Sequence, residues 1–164
     1  RGAVPNSRNR LGKTSLYISI EKNRIDIARI LIEAGADVNL PSLEKATPLI
    51  AASYSGNLPF VDLLLQHGAS HEPTDRLHKS ALVYAAGMGH TAVVERLLQA
   101  GAPIDHAPVD ALTPLMWAAG QGHTETVKLL LAKGANKSLK DERGLNALQM
   151  AEQGGHAAIV GLLQ

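Results

Sequence analysis

The chain repeats itself with a period of about 33 residues, a length typical of supersecondary units stacked in a row and not of one globular core. The dipeptide Gly-Ala recurs in one phase, at Gly2-Ala3, Gly35-Ala36, Gly68-Ala69, Gly101-Ala102 and Gly134-Ala135. A leucine recurs in another phase, at Leu16, Leu49, Leu82, Leu115 and Leu148. Such a stack offers a long surface and seldom encloses a deep catalytic pocket.

Composition excludes several classes of partner. Hydrophobic residues make up 45% of the 164 residues and aromatic residues only 3%, which predicts an aliphatic, alanine-rich core. The formal charge of +1 provides no general attraction to nucleic acid or to acidic membranes. Cysteine is absent, which excludes disulfides and thiolate ligands. No apolar run approaches the roughly 20 residues that a membrane-spanning helix needs. We therefore expect a cytoplasmic chain with no membrane span and no nucleic-acid partner.

Each copy is predicted to hold two helices, and the copy that begins at Thr113 shows why. Threonine is a favoured helix cap, and Pro114 suits the first helical position. This first helix is expected to stop near Gly120. A second helix is expected from Thr124 to about Lys133, where Gly134 provides the left-handed residue that often ends a helix.

The same register runs through the other copies. Side chains able to cap a helix recur at Thr14, Thr47, Ser80, Thr113 and Asn146. An apolar stripe with helical spacing recurs at Ala28/Leu31/Ile32, Val61/Leu64/Leu65, Val94/Leu97/Leu98 and Val127/Leu130/Leu131, and ends as Val160/Leu163/Gln164. One helix pair cannot bury this stripe alone, so the fold class predicted is an all-α repeat solenoid.

This pattern resembles the ankyrin repeat over essentially the whole chain. Thr47-Pro48-Leu49 and Thr113-Pro114-Leu115 match the start of that family's first helix. Its inter-helix turn is matched by Gly89-His90, Gly122-His123 and Gly155-His156, and its exit to the hairpin by Gly35-Ala36-Asp37-Val38-Asn39. The resemblance implies antiparallel helix pairs with short projecting β-hairpin loops, stacked into a curved array whose concave side binds other proteins.

The period also predicts the domain organisation. We expect one array over residues 1–164, with about five repeats at 9–41, 42–74, 75–107, 108–140 and 141–164. Residues 1–8 are interpreted as the tail of a preceding repeat, because Gly2-Ala3 lies one period before Gly35-Ala36. The chain is thus expected to be a fragment of a longer natural protein. Gln164 replaces an apolar stripe residue, which suits a terminal repeat facing water.

Histidines are the strongest candidates for chemistry. His90, His123 and His156 lie one period apart, and a row of imidazoles could bind metal. The resemblance implies instead that these turn histidines bind loop backbone. A looser group, formed by His67, His71, Asp75 and His78, lacks the tight spacing of zinc ligands. We therefore expect no metal and no cofactor.

Other motifs are weaker. Gly12-Lys13-Thr14 is similar to the end of a phosphate-binding loop, but Ser7 stands where that loop needs a glycine. No local nucleophile–histidine–acid set is present, so we expect no enzymatic activity. The sequence around Asn39 is similar to the pattern at which ankyrin repeats are hydroxylated on asparagine. The other interpretation is that Asn39 caps a hairpin turn.

Geometry carried over from the resemblance places a partner on the hairpin tips and on the exposed side of each first helix. The candidate partner-binding residues are Leu43, Tyr54, Arg76, Leu77, Lys79, Met88, Val109, Asp110, Leu112 and Trp117. Aromatic, methionine and leucine anchors suit a protein interface. Two alternatives stay open. Leu43, Leu77 and Val109 could pack hairpin against hairpin, and Trp117 could fill the core between repeats.

The function expected is a non-catalytic module, monomeric, that binds a partner protein or peptide of unknown identity. The alternative is a regulatory or inhibitory array of a larger enzyme, or a bacterial effector or immunity protein.

Overall fold

A computed structural model describes residues 4–164, which form short helices joined by turns and loops. In chain order the helices are α1 (Ser15–Glu21), α2 (Ile25–Glu33), α3 (Pro48–Tyr54), α4 (Leu58–Gln66), α5 (Ala81–Gly87), α6 (Thr91–Gln99), α7 (Pro114–Gly120), α8 (Thr124–Ala132), α9 (Ala147–Gln153) and α10 (Ala157–Leu163). Residues 4–164 contain no strand, and isolated antiparallel bridges join Arg8 to Thr14 and Thr74 to Ser80. The predicted all-α repeat fold is confirmed. The predicted role of Gly2-Ala3 falls outside the described residues.

The predicted caps begin the first helices. The hydroxyl oxygens of Thr14, Thr47 and Thr113 each accept a hydrogen bond, at 3.2 Å, from the backbone N–H three residues later. Asn146 does the same for the Gln149 N–H at 3.0 Å. Each such bond satisfies a donor that the first turn of a helix leaves without a partner, and contributes about 1 kcal/mol.

Glycines in the left-handed region follow the second helices. Gly35, Gly68, Gly101 and Gly134 have φ between 83° and 92°. Beyond Gly134, the Ala135 N–H donates to the Leu130 carbonyl at 3.0 Å, which closes the end of α8. The helix itself ends at Ala132, one residue before the predicted Lys133.

The chain divides into two compact units, one ending at Ala81 and the other running from Leu82 to Gln164. In the first unit, α1 packs on α2 and α3, and α4 packs on α2 and α3. Its core includes the stripe residues Ala28, Val61 and Leu64 together with Leu16 and Leu49, all at most 1% exposed. Burial of this apolar surface holds the pairs together.

The second unit follows the same scheme. Within it, α7 packs on α8 and α9, α8 packs on α6, and α10 packs on α8 and α9. Its fully buried side chains include Val94, Leu97, Leu115, Val127 and Leu130. At the end of the last stripe Leu163 is 3% exposed and Gln164 is exposed to solvent.

Candidate functional site

The loops that precede the first helices are tightened by a side-chain oxygen that accepts two backbone N–H groups. Asn9 accepts from Leu11 and Lys13 at 2.9 and 3.0 Å. The second such residue, Asp75, accepts from Leu77 and Lys79 at 2.9 and 3.1 Å. Because these hydrogen bonds fix the loop, the side chains at its tip are attached to an ordered backbone.

Asp141 is the third residue of this kind, and it accepts from the N–H groups of Arg143 and Leu145 at 3.0 and 2.8 Å. Sequence reasoning missed these anchors. The signal was available, since Asn9, Asp75 and Asp141 share one phase of the repeat.

The tips of neighbouring loops are tied by main-chain hydrogen bonds. In the first unit the Leu43 N–H donates to the Leu11 carbonyl at 3.0 Å, and the Arg76 N–H donates to the Glu44 carbonyl at 2.9 Å. In the second unit the Glu142 N–H donates to the Asp110 carbonyl at 3.1 Å. These bonds set consecutive tips side by side within each unit.

Leucines at the tips of the first unit face solvent. Leu43 is 53% exposed and Leu77 is 62% exposed, so packing between hairpins does not bury them. Arg76, beside Leu77, places its guanidinium 3.9 Å from the Glu44 carboxylate, and both side chains are more than half exposed. A pair so exposed contributes little to stability and leaves both charges accessible. The neighbouring Lys79 is half-buried.

The corresponding loop of the second unit is less exposed. Val109 and Leu112 are half-buried, and the Leu112 N–H donates to the Val109 carbonyl at 2.9 Å. Between them, Asp110 and Ala111 both have left-handed backbone, with φ of 51° and 55°. Two consecutive residues of this kind make a tight turn, and the Asp110 side chain is exposed to solvent.

Aromatic and methionine side chains stand at the ends of first helices. Tyr54, the last residue of α3, is 53% exposed, and Met88, which follows α5, is 44% exposed. Trp117 in α7 is half-buried, and a Cβ placed on Gly87 would lie 3.7 Å from it. Trp117 thus lies close to the end of α5 and also lines a cavity of about 380 Å³.

Two of the turn histidines have the predicted structural role. His123 donates from Nε2 to the Gly87 carbonyl at 2.9 Å, and His156 donates to the Gly120 carbonyl at 3.1 Å. The same role for His90 stays a prediction. Within residues 4–164, no grouping of three histidine, aspartate, glutamate or cysteine side chains is arranged to hold a metal ion.

The side-chain amide of Asn39 makes two hydrogen bonds to the backbone of the next loop. Its Oδ1 accepts the Ser70 N–H at 2.8 Å and its Nδ2 donates to the Gly68 carbonyl at 3.1 Å. Asn6 and Asp105 make the equivalent bond to the N–H groups of Asp37 and Asn136 at 2.8 and 3.0 Å. This role accounts for Asn39 without modification, and its hydroxylation stays a prediction.

The carboxyl group of Asp141 has a shifted pKa. Burial opposes its ionisation, but the N–H of Leu145, the Arg143 guanidinium at 2.8 Å and the Arg143 N–H outweigh that effect and lower its pKa below the ordinary value. The hydrogen bonds of this loop therefore favour the ionised form of the Asp141 carboxylate.

In the part of the chain that the structure describes, no helix is both long and apolar enough to cross a membrane.

The helix pairs, their left-handed glycines and their tied loop tips define a helical repeat protein. The family profile of ankyrin repeats in three copies matches residues 41–108 and 82–164, and a second ankyrin profile matches residues 16–65. The chain therefore belongs to the ankyrin-repeat family. Repeats of this family generally mediate protein–protein interactions and are typically non-catalytic.

Curated relatives align with parts of the chain. Inversin of Mus musculus is 37% identical over 42% of this chain, NF-kappa-B inhibitor alpha of Gallus gallus is 33% identical over 42%, and the phosphocholine transferase AnkX of Legionella pneumophila is 34% identical over 43%. The aligned segments make up only 6%, 22% and 8% of those proteins.

Proposed function

We propose that this chain is a non-catalytic interaction module that binds a partner protein or peptide on its loop tips and on the exposed sides of its first helices. The main support is that large apolar side chains are exposed to solvent at the loop tips and at the ends of the first helices, where hydrogen bonds already fix the backbone. Leu43, Tyr54, Leu77 and Met88 are each 44% to 62% exposed. Exposed apolar groups reduce solubility, so their presence on loop tips and helix ends that hydrogen bonds hold in place favours an interface there.

The charged residues belong to the same proposal. Arg76, Lys79 and Asp110 would form a mixed-charge rim, which fixes orientation and on-rate more than affinity. Val109, Leu112 and Trp117 supply partly buried contact area in the second unit. The rest of the proposal comprises the five repeats at the boundaries given above, a monomeric state, a cytoplasmic location, and the absence of a nucleic-acid partner.

The test removes apolar anchors without touching the core. A partner identified by affinity capture is titrated against the wild-type chain and against the double variant Tyr54→Ala/Met88→Ala. Because truncated hot-spot residues cost more than about 1 kcal/mol each, the dissociation constant should rise about tenfold or more. The midpoint of thermal unfolding should stay within about 2 °C, since exposed substitutions change stability little.

A matched control is available on the second helices. Ile30 and Leu162 are 64% and 37% exposed, yet they lie away from the proposed surface. The variant Ile30→Ala/Leu162→Ala should bind the partner like the wild type. Equal weakening by both double variants, or a loss of stability that accounts for the loss of binding, would assign Tyr54 and Met88 to the fold and defeat the proposal.

A second candidate is a regulatory or inhibitory array of a larger enzyme, or a bacterial effector or immunity protein. It is favoured by the relatives, since one is named an inhibitor of NF-kappa-B and another a phosphocholine transferase. One measurement distinguishes the two candidate functions. If the captured partner is an enzyme, its turnover in the presence of saturating chain separates inhibition from simple tethering.

A further inference from the structure

The loop tips of the two units carry formal charges of opposite sign. We call the loops 9–13, 42–46 and 75–79 the first-unit tips, and the loops 108–112 and 141–145 the second-unit tips. The first-unit tips have a formal charge of +3, from five cations and two carboxylates: Arg10, Lys13, Lys45, Arg76, Lys79, Glu44 and Asp75. The second-unit tips have a formal charge of −2, from one cation and three carboxylates: Arg143, Asp110, Asp141 and Glu142. The formal charge of +1 for the whole chain therefore includes regions that differ in sign.

Local ion pairs neutralise part of the charge of the first-unit tips. Two of the cations lie beside carboxylates, Lys13 beside Glu21 at 2.5 Å and Arg76 beside Glu44 at 3.9 Å. Arg10 and Lys45 are exposed, and within residues 4–164 neither side chain makes an ion pair or a hydrogen bond. Two unpaired cations therefore remain on consecutive first-unit tips.

The second-unit tips keep unpaired carboxylates instead. The Arg143 Nε donates to the Asp141 carboxylate at 2.8 Å, so the charges of this pair balance. Asp110 and Glu142 are exposed, and among the described residues neither carboxylate has an ion-pair or hydrogen-bond partner. The Glu142 N–H donates to the Asp110 carbonyl at 3.1 Å, so the two unpaired carboxylates belong to residues on adjacent tips.

Exposed leucines accompany the unpaired cations of the first-unit tips. Leu11 and Leu43 are 58% and 53% exposed, and the Leu43 N–H donates to the Leu11 carbonyl at 3.0 Å. Gly12 allows this close approach, because a Cβ there would lie only 2.8 Å from the Leu43 nitrogen. On the second-unit tips the same two phases of the repeat hold one apolar residue, which is half-buried, and three charged ones: Val109, Asp110, Glu142 and Arg143. The first-unit tips thus combine unpaired positive charge with exposed leucine, and the second-unit tips do not.

This combination matches a peptide segment that carries both carboxylates and apolar side chains. A carboxylate complements an unpaired cation, and a neighbouring apolar side chain removes exposed leucine surface from water. Two unpaired cations are fewer than the cluster of about four to eight that binds an anionic membrane. The first-unit tips contain no phenylalanine, tyrosine or tryptophan, the rings on which the bases of single-stranded nucleic acid stack. An acidic protein segment is therefore favoured over lipid headgroups and over nucleic acid.

We propose that the first-unit tips bind an acidic segment of the partner, with carboxylates against Arg10 and Lys45 and apolar side chains against Leu11 and Leu43. The inference rests on the proposed function, and it specifies the charge of the partner segment and the unit that binds it. Like charges that meet across an interface are unfavourable, so the carboxylates of the second-unit tips exclude the same segment from that unit.

The experiment uses a random library of displayed 12-residue peptides, selected on the wild-type chain at low salt. The enriched peptides should carry net negative charge and at least one large apolar residue. Their dissociation constants should rise about tenfold or more between about 50 and 500 mM NaCl, because salt screens exposed charges. Arg10→Glu/Lys45→Glu reverses both unpaired cations and should weaken these peptides about tenfold or more. Arg10→Gln/Lys45→Gln only neutralises the two cations and should weaken them by a smaller factor.

Arg29→Glu/Lys133→Glu is the matched control, because it changes the net charge by the same amount at two exposed cations outside the loop tips. It should bind the enriched peptides within about twofold of the wild type, since distant exposed charges are screened. Leu11→Ala/Leu43→Ala keeps both cations and should also weaken the peptides, which separates the apolar contact from the attraction of charge.

Enrichment of neutral or basic peptides, or of no peptides, would overturn the inference. Undiminished binding to Arg10→Glu/Lys45→Glu, or equal weakening by the control variant, would overturn it as well. Phosphatidylserine vesicles or oligothymidylate that bind more tightly than any peptide, and are lost in the same charge-reversal variant, would assign the two cations to another ligand. These outcomes leave the proposed function standing, because it is judged on the captured partner and on the Tyr54/Met88 variant. Conversely, failure of that variant leaves the peptide result at the first-unit tips unaffected.

Discussion

The Nε2 atom of His123 lies 2.9 Å from the carbonyl oxygen of Gly87, which ends a helix in the preceding repeat. The bond ties the turn before α8 to the end of α5 within the second unit. Gly89 permits this contact, because a Cβ there would lie 2.5 Å from His123 Nδ1. His156 and Gly120 repeat the bond at 3.1 Å, and a Cβ on Gly122 would lie 2.7 Å from the His156 ring.

Removal of this bond should destabilise the fold. His123→Ala leaves the Gly87 carbonyl without its donor and opens a gap against Gly89. We expect a loss of about 1 to 3 kcal/mol in the free energy of unfolding, measured by urea denaturation. The control is His106→Ala, at an exposed position, which should change stability by less than about 0.5 kcal/mol. Similar values for both variants would contradict the structural role of His123.

The left-handed position in each loop provides a paired test of backbone strain. This position has φ of 55° at Ala111 and 81° at Gly144. An L-residue in this region costs about 1 to 2 kcal/mol. Ala111→Gly should therefore raise the free energy of unfolding, by about 0.5 to 1 kcal/mol after the added chain entropy of glycine.

Gly144→Ala is the matching reverse change. No atom lies within 4 Å of a Cβ built there, so backbone conformation alone should cause the loss of about 1 kcal/mol that we expect. Thermal or urea unfolding measures both variants. A stabilising effect of Gly144→Ala would mean that the loop relaxes into another conformation.

The Asp141 loop should weaken in acid. Since the folded-state pKa of Asp141 is lowered, its contribution to stability is fully present above the unfolded value of about 3.9 and is lost as pH falls through the folded value. Asp141→Asn keeps the size of the side chain but removes its charge. The variant should flatten the decline of unfolding free energy below about pH 4, where the wild type falls. A decline equally steep in both proteins would assign acid sensitivity to other carboxylates.

The side-chain cap of α7 should contribute measurably to the free energy of unfolding. The Thr113 Oγ1 accepts the Met116 N–H at 3.2 Å, and this residue is 1% exposed. Thr113→Ala should lower the free energy of unfolding by about 1 to 2 kcal/mol. Thr113→Ser retains the oxygen and should recover most of that loss, as measured by urea denaturation. No recovery would show that the threonine methyl group, and not the cap, stabilises this position.

Local features were predictable because each depends on a few neighbouring residues. The caps at Thr47 and Thr113, the stop at Gly134 and the buried stripe in α8 all follow from residue type and spacing. The hydrogen bonds of His123 and His156 required the family resemblance as well, since their acceptors lie in another repeat. The loop anchors Asp75 and Asp141 were missed, although their shared phase was visible.

The solvent exposure of side chains in the loops was harder to predict from the sequence. Leu43 and Val109 occupy one phase of the repeat, yet the first is 53% exposed and the second half-buried. Residue type and phase alone do not distinguish them. The loop around Val109 turns through two left-handed residues, Asp110 and Ala111, and that change of backbone alters what the side chain contacts.

The sequence by itself determined the period, the caps that begin the first helices and the family, because these arise from short-range preferences that recur along the chain. Only the tertiary structure decided that a hollow opens beside Trp117. Its lining residues, among them Trp117, Arg143 and Met150, lie far apart in the sequence, so no local pattern could predict that they would line one space.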